Sequence, residues 1–335
     1  MIKVKLMHRN HDQIKYINKP IIRNLCRDNG IDMVDGGDHD ILLLHTDGLN
    51  KESKSKLIKS GKPIILFERY DSANIAHFRE MQLDNILALW KISAFRNVNE
   101  NFKGRYASRR HCSIILDSQK IEHPKTFIGD IDISHLNKLA LPVSYAHCGC
   151  TNNSIKQELN VTKNRAIDVH FCGTVGYERP NHKQSLTPIT NHRKKAIQAI
   201  RGLKVRCTKD VSSSRKHVNN NYFDTIYNTK IIVSPWGCGE VCYRDFEALA
   251  AGCILIKPNT NFVESWPDIF NKRHYIACRP DFSDLNEKVT WVLSHWKSLQ
   301  DMRLGNRKLL EDVRQPKVLA DRVSELINTA STRIR

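Results

Sequence analysis

Arg244 and Glu247 stand three residues apart behind two glycines in the segment SPWGCGEVCYRDFEALAAGC, which begins at Ser234. On a helix, residues at this spacing share a face. A guanidinium there can reach a phosphate, and a carboxylate can accept hydrogen bonds from the vicinal hydroxyls of a ribose. The competing use is an ordinary surface ion pair, worth about 0.3–0.5 kcal/mol. Gly237 and Gly239 permit a tight turn and close backbone approach to a ligand. A helix opening near Val241 would aim unpaired amides and the positive end of its dipole at the same place, which suits phosphate oxygens.

The other half of the chain offers carboxylates. Asp47 in LLLHTDG and Asp71 in FERYDSA each follow an apolar run, with His45 beside the first. A carboxylate at a strand end can take a proton from an attacking hydroxyl; Asp in such places also serves as a helix cap or turn former. Glu68 is expected to pair with Arg69, and RYASRRH at 105–111 reads as a basic loop, solvated or facing an anion. AHCGC (His147, Cys148, Cys150) is the only tight cluster of metal-ligand types. It lacks further ligands at a matching spacing, so no metal site is expected there.

These groups need rigid elements behind them. In residues 1–150, IKVKLM, DILLLHT (40–46), PIILFER (63–69), NILALWK (85–91) and CSIILD (112–117) are short continuous apolar runs, the pattern of strands covered on both faces. The polar segment 151–166 has no such run and reads as a linker. The rhythm then restarts. IDVHFCG (167–173) reads as a strand ending in a glycine turn, and NHRKKAIQAIRG (191–202) as a helix opened by Asn191 and closed by Gly202. LKVRC (203–207), KIIVSP, CILIKP and HYIACRP read as further strands. From DFSDLNEKVTWVLSHWKSLQ onward apolar residues recur at helical spacing, giving two or three helices, the last over 316–335. The expected fold is α/β, with two Rossmann-like domains facing a cleft, one over 1–150 and the other over 167–315.

With 335 residues, 40% hydrophobic and 26% charged, the chain is globular and long enough for two domains. No run approaches the roughly 20 apolar residues of a membrane span, and the start lacks the apolar stretch of a signal peptide; a cytoplasmic protein is expected. Ten cysteines at irregular spacing read as reduced thiols. A formal net charge of +18 implies an anionic partner. Lys and Arg outnumber Asp and Glu by 30 to 18 in residues 151–335 and by 23 to 17 in 1–150, so most of the excess accompanies Arg244. Against nucleic acid, there is no RNP signature, zinc-finger spacing or KH-type loop, and only 7% of residues are aromatic. No stable nucleic-acid complex is expected; peripheral contact with an anionic membrane stays open.

WGCGEVCYRDFEALAAGCILIKP resembles the donor-binding segment of GT-B fold glycosyltransferases of the family 1, exostosin-like and CgeB-like group. The likeness extends more weakly to DVHFCGTVGY (168–177), NHRKKAI, ESWPDIF and DFSDL, and residues 1–150 share only the general rhythm. It implies an enzyme that moves a sugar from a nucleotide-diphospho sugar, of UDP or GDP type, to a glycan or other saccharide acceptor, with no cofactor and no metal. It places Glu247 on the ribose, and Pro235, Gly237, Gly239, Glu240, Tyr243 and Arg244 by the diphosphate or donor sugar. Gly173 and Thr174 fall in the opening loop of the donor domain, and Arg193 and Lys194 at a helix start where they neutralise the diphosphate. Residues 1–150 become the acceptor side, with Asp71 and Asp47 as candidate bases. Glu240, a further catalytic candidate, has six residues between it and Glu247, one fewer than in many retaining relatives. A basic nucleic-acid-binding protein and a non-catalytic nucleotide-sugar binder are the alternatives.

Overall fold

The computed structural model describes residues 1–7, 12–46, 51–68, 71–106, 109–127, 132–156, 158–160, 164–176, 183–205, 207–210 and 221–334. Its N-terminal lobe holds β1 (Ile2–Met7), β2 (Ile31–Val34), β3 (Ile41–His45), β4 (Ile64–Phe67), β5 (Ile86–Trp90), β6 (Ser93–Phe95) and β7 (Leu139–Ala140). All but β6 form one sheet in the order β2-β1-β3-β4-β5-β7, parallel throughout. The C-terminal lobe holds β8 (Ile167–Cys172), β9 (Cys207–Asp210), β10 (Thr229–Val233), β11 (Ile254–Pro258), β12 (Val263–Ser265) and β13 (Ile276–Cys278). Without β12 these make a second parallel sheet, β13-β11-β10-β8-β9.

Counted from its own first strand, each sheet runs 2-1-3-4-5, and the N-terminal one adds a sixth strand. In a doubly wound sheet of this order the ligand crevice opens at the carboxyl ends of the first and third strands. Those are β1 and β3 in one lobe, β8 and β10 in the other. The chain is therefore α/β with two Rossmann-like domains, as the apolar runs indicate. β3, β4, β5 and β11 are buried at every residue, which is why they read as continuous rather than alternating.

Several elements differ from the sequence reading. CSIILD is part of the helix Arg110–Ser118, whose buried His111, Cys112, Ser113, Ile115 and Leu116 line its inner side; a short apolar run does not by itself separate strand from buried helix. β2, four residues with alternating burial and an Asp at its second position, is too short an apolar run to stand out. The helix expected from Asn191 runs over Lys183–Arg201 and passes through Pro188. The strand expected at 203–207 lies at Cys207–Asp210, and the linker segment is entered by the helix Gly149–Lys156. The last helix, Pro316–Ser331, crosses back to the N-terminal lobe. There the Cys26 thiol donates to the Ala320 carbonyl at 3.8 Å and Asn29 donates to Asp321 at 3.0 Å.

The lobes are joined by more than the chain. β6 pairs antiparallel with β12, and Arg96 beside it donates to both carboxylate oxygens of Asp268 at 3.0 Å. One apolar cluster includes Trp90, Phe95 and Tyr145 of the first lobe and Phe246, Leu249 and Val263 of the second. At the seam, Gly239 presses on the loop after β4: a Cβ there would sit 1.9 Å from the Asp71 carbonyl oxygen and 2.9 Å from the Ser72 amide nitrogen. Replacing Gly239 with Ala should thus destabilise the chain by about 1–3 kcal/mol in urea unfolding. Gly305→Ala, inside the helix Gln300–Val313 and with nothing within 4 Å of its added Cβ, should raise stability by about 0.5–1 kcal/mol.

Candidate functional site

The loop after β10 is held from both lobes by cations on three successive carbonyls. Arg193 Nε donates to Trp236 O at 3.0 Å, His111 Nε2 to Gly237 O at 3.1 Å, and Arg109 Nε to Cys238 O at 3.1 Å. His192 accepts the Trp236 amide at 3.2 Å and stacks on its ring. Burial, then the nearby Arg193, His111 and Lys257, keep the His192 pKa well below its ordinary value, so it stays neutral and can accept. Pro235 is buried in the turn that follows the strand. Arg193 also donates to Thr174 O, the residue after the Gly173 turn. It lies within its helix, not at the start, and its guanidinium ties the two loops together rather than standing at a helix end to neutralise a diphosphate.

Arg244 sits on the β8/β10 crevice itself. Its Nε donates to the Cys172 carbonyl at the end of β8 at 2.6 Å, and Nη1 reaches Ser234 Oγ, just beyond β10, at 3.3 Å. Its guanidinium stacks on Phe171 at 4.9 Å from the ring centre. Gly173, with φ of +153°, makes room for it: a Cβ there would lie 2.2 Å from Arg244 Nη2. The helix that bears Arg244 runs Tyr243–Ala250 with Cys242 as its cap, two residues later than expected from the sequence. Asp245 fastens its start, accepting from the Cys242 amide at 3.0 Å and from Ser234 Oγ at 2.6 Å and pairing with the fully buried Lys257 at 3.1 Å. Arg244 and Glu247 share a face without pairing. Glu247 instead accepts from the Tyr222 hydroxyl at 2.5 Å. Burial, then Glu247, push the Tyr222 pKa well above 10, so the phenol keeps its proton and donates.

Glu240 does not open onto the crevice. It is fully buried, accepting from the Ala73 amide at 2.8 Å and Ser72 Oγ at 3.2 Å, and its Oε1 lies 3.0 Å from His111 Nδ1. With Gly237 O on the other ring nitrogen, His111 faces two acceptors, the setting of an imidazolium. Burial opposes that charge, yet Cys112 and Glu240 raise the His111 pKa to about 10. Burial likewise works to raise Glu240, but His111 and the Ala73 amide bring it down to about 2. As a catalytic candidate Glu240 is corrected to an interlobe clamp, because a fully buried carboxylate sealed against Ala73, Ser72 and His111 meets no substrate.

Across the seam, Asp71 is exposed and accepts from the Tyr145 hydroxyl at 2.8 Å. The Tyr145 ring lies 4.1 Å from that of Tyr243. Tyr243, expected at the donor, thus turns its ring to Tyr145 of the N-terminal lobe. Behind Asp71 the loop is anchored by Glu68, which accepts from the Ala76 and His77 amides at 3.0 Å and pairs with the buried Lys91. Arg69 and Asp47 lie outside the described residues, and His45 is buried against Phe67. In AHCGC, His147 donates Nε2–H to Val313 O at 3.1 Å and accepts from the Ser144 amide on Nδ1, so both ring nitrogens are engaged with backbone.

No family model matches the chain, and no curated protein matches it. Solved glycosyltransferases are among the structures it resembles. A glycosyltransferase from Rickettsia africae ESF-5 superposes over 100% of this chain and 99% of its own, with 9% identity and a TM-score of 0.49. The lipopolysaccharide outer core galactosyltransferase WaaB, in its apo form, covers 98% and 99%, with 8% identity and a TM-score of 0.47. A putative UDP-N-acetylglucosamine 2-epimerase from Listeria monocytogenes covers 100% and 98%, with 9% identity and a TM-score of 0.42. Likenesses of this degree concern the fold alone.

Asp245, Lys257, Tyr145 and Tyr222 escaped the sequence reading, and Arg109 and His111 entered it only within the basic run RYASRRH, not as partners of the glycine loop. Of the four, Asp245 alone carried a local signal, three residues after the capping position. The buried pair makes a pH-dependent test. His111→Gln and Glu240→Gln each leave a buried partner uncompensated and should cost about 3–5 kcal/mol at neutral pH in denaturant unfolding. The stabilisation carried by His111 is complete below its ordinary pKa of 6.5 and is lost as pH rises through about 10. That carried by Glu240 is present above 4.5 and is lost as pH falls through about 2. Wild type should weaken from neutral pH towards 10, and His111→Gln should show a shallower alkaline decline.

Proposed function

We propose that the chain is a glycosyltransferase of the family 1, exostosin-like and CgeB-like kind, moving a sugar from a nucleotide-diphospho sugar to a hydroxyl of a saccharide acceptor. The observation that carries this reading is the meeting, at the carboxyl ends of β8 and β10, of the glycine loop, Arg244 and Glu247 with the Asp71 loop of the opposite lobe. Ligands of doubly wound sheets bind in that crevice. Glu247, set beside Tyr222, has the chemistry to accept hydrogen bonds from ribose hydroxyls. Arg244 from one lobe and Arg109 from the other meet the charge that builds on the departing diphosphate.

As base of an inverting transfer, Asp71 takes the acceptor's hydroxyl proton while that oxygen bonds to the anomeric carbon. The anomeric carbon's bond to the diphosphate oxygen breaks, and its electron pair leaves on the diphosphate. Preorganised guanidinium groups supply the electrostatic stabilisation that this needs, and the proposed reaction uses no resident metal. The described cysteines are free thiols, which suits work in the reducing cytoplasm. Peripheral contact of the basic surface with an anionic membrane is compatible with it.

A thermal-shift panel of UDP, GDP and their sugars tests the reading. A ligand at about 100 times its dissociation constant adds roughly 2.7 kcal/mol, a rise of about 5 °C for a chain of this size. One nucleotide class should raise the wild-type melting temperature, and Glu247→Ala should abolish the rise. If no nucleotide or nucleotide sugar moves the curve, the reading fails and salt-dependent nucleic-acid binding is the next measurement.

A further inference from the structure

We infer that Tyr145 is a positioning residue for the transfer: its hydroxyl aims Asp71, while its ring docks on Tyr243 at the head of the helix that carries Arg244 and Glu247. The inference rests on the transferase reading above and deepens it by naming what aligns the base with the donor lobe.

Asp71 is an exposed loop residue, and an exposed carboxylate on its own samples several rotamers. The hydrogen bond from Tyr145 to its Oδ1, 2.8 Å long, selects one of them and leaves Oδ2 to receive the acceptor's proton. The backbone below it is fixed as well, pressed against Gly239 at the end of the donor loop. Base and donor loop are therefore in register only when the lobes meet as they do here.

Tyr145 is rigid enough for this task. It opens the short 3-10 turn Tyr145–His147, whose cap Ser144 accepts the Ala146 amide at 3.2 Å. Thr151 Oγ1 donates to the Tyr145 carbonyl at 2.8 Å. His147 closes the turn, stacked flat on Trp266 of the other lobe at 5.2 Å. The Tyr145 ring itself is wedged between Tyr243 and the edge of Phe246, 6.3 Å away. Burial, and after it Asp71, raise the Tyr145 pKa well above 10, so its phenol holds its proton and acts as the donor. Tyr243, by contrast, is 38% exposed, so the aromatic pair reaches from the interlobe core to the open seam beside Asp71.

The discriminating variant is Tyr145→Phe, which keeps the ring and its packing and removes only the hydroxyl. Full-length wild type and variant are compared in a nucleoside diphosphate release assay, with the nucleotide sugar that shifts the wild-type melting curve and a panel of mono- and oligosaccharide acceptors. Misplacing a catalytic group by about 1 Å costs on the order of 10²-fold. The expected result is a fall in kcat for transfer of about 10- to 100-fold, with the donor KM and the nucleotide-induced thermal shift unchanged and the melting temperature within about 2–4 °C of wild type. A purely structural ring would leave Tyr145→Phe with wild-type kcat, and that result overturns the inference alone. A variant whose donor KM rises while kcat holds overturns it too, since the hydroxyl would then serve donor binding. A wild type that binds and turns over no nucleotide sugar overturns the transferase reading and this inference with it.

Discussion

The buried pair between Glu240 and His111 is the contact on which the arrangement depends. Glu240 belongs to the loop after β10 and His111 to a helix of the other lobe, and both are fully buried. Two such charges are tolerable in low dielectric only when each is close to its partner, and here His111 Nδ1 lies 3.0 Å from Glu240 Oε1. The carboxylate gathers Ser72 and Ala73, and the ring reaches on to Gly237. A single polar network thereby fixes three things that the proposed chemistry needs together: the glycine loop, the Asp71 loop and the distance between the lobes. Gly239 makes the approach sterically feasible, and β6 with β12 keeps the far side of the seam closed.

The large positive charge finds much of its use inside the protein. Arg165 donates to Ala251 O, Arg303 to Gly252 O and Arg307 to Ala250 O, so three guanidinium groups gather at the carboxyl end of the helix Tyr243–Ala250. Cations there complement the helix dipole and satisfy carbonyls left without helical partners. Asp245 and Lys257 fasten the other end. A helix of two turns is marginal alone; held at both ends, it presents Arg244 and Glu247 as rigid groups. The C-terminal excess of charge is thus partly structural, which weakens the case that it serves a nucleic acid.

Much of this was legible in the residues. The fully buried strands announced themselves as unbroken apolar runs, and the glycine loop with Arg244 and Glu247 marked the crevice, because backbone approach and shared helical face are local properties. What was not legible depends on contacts far apart in sequence. His111 lies 129 positions from Glu240 on the chain, and Tyr145 lies 74 from Asp71. Nothing local marks either as a partner. The same cause explains the misreadings of Glu240 and Arg193: each has the charge expected of a ligand-binding group, and each is taken up by the protein's own backbone or ions. CSIILD was misread for a different reason, since its apolar run is too short to display helical period.

The most direct test of this arrangement is single-turnover nucleoside diphosphate release by Asp71→Asn, with donor affinity measured on the same preparation. Loss of a general base costs roughly 10²–10⁴-fold in the chemical step. Asp71→Asn should lose that much in rate while binding the nucleotide sugar as tightly as wild type. Wild-type release by the variant, or a loss confined to donor affinity, would contradict the proposed role of Asp71 as the base at the seam beside Gly239.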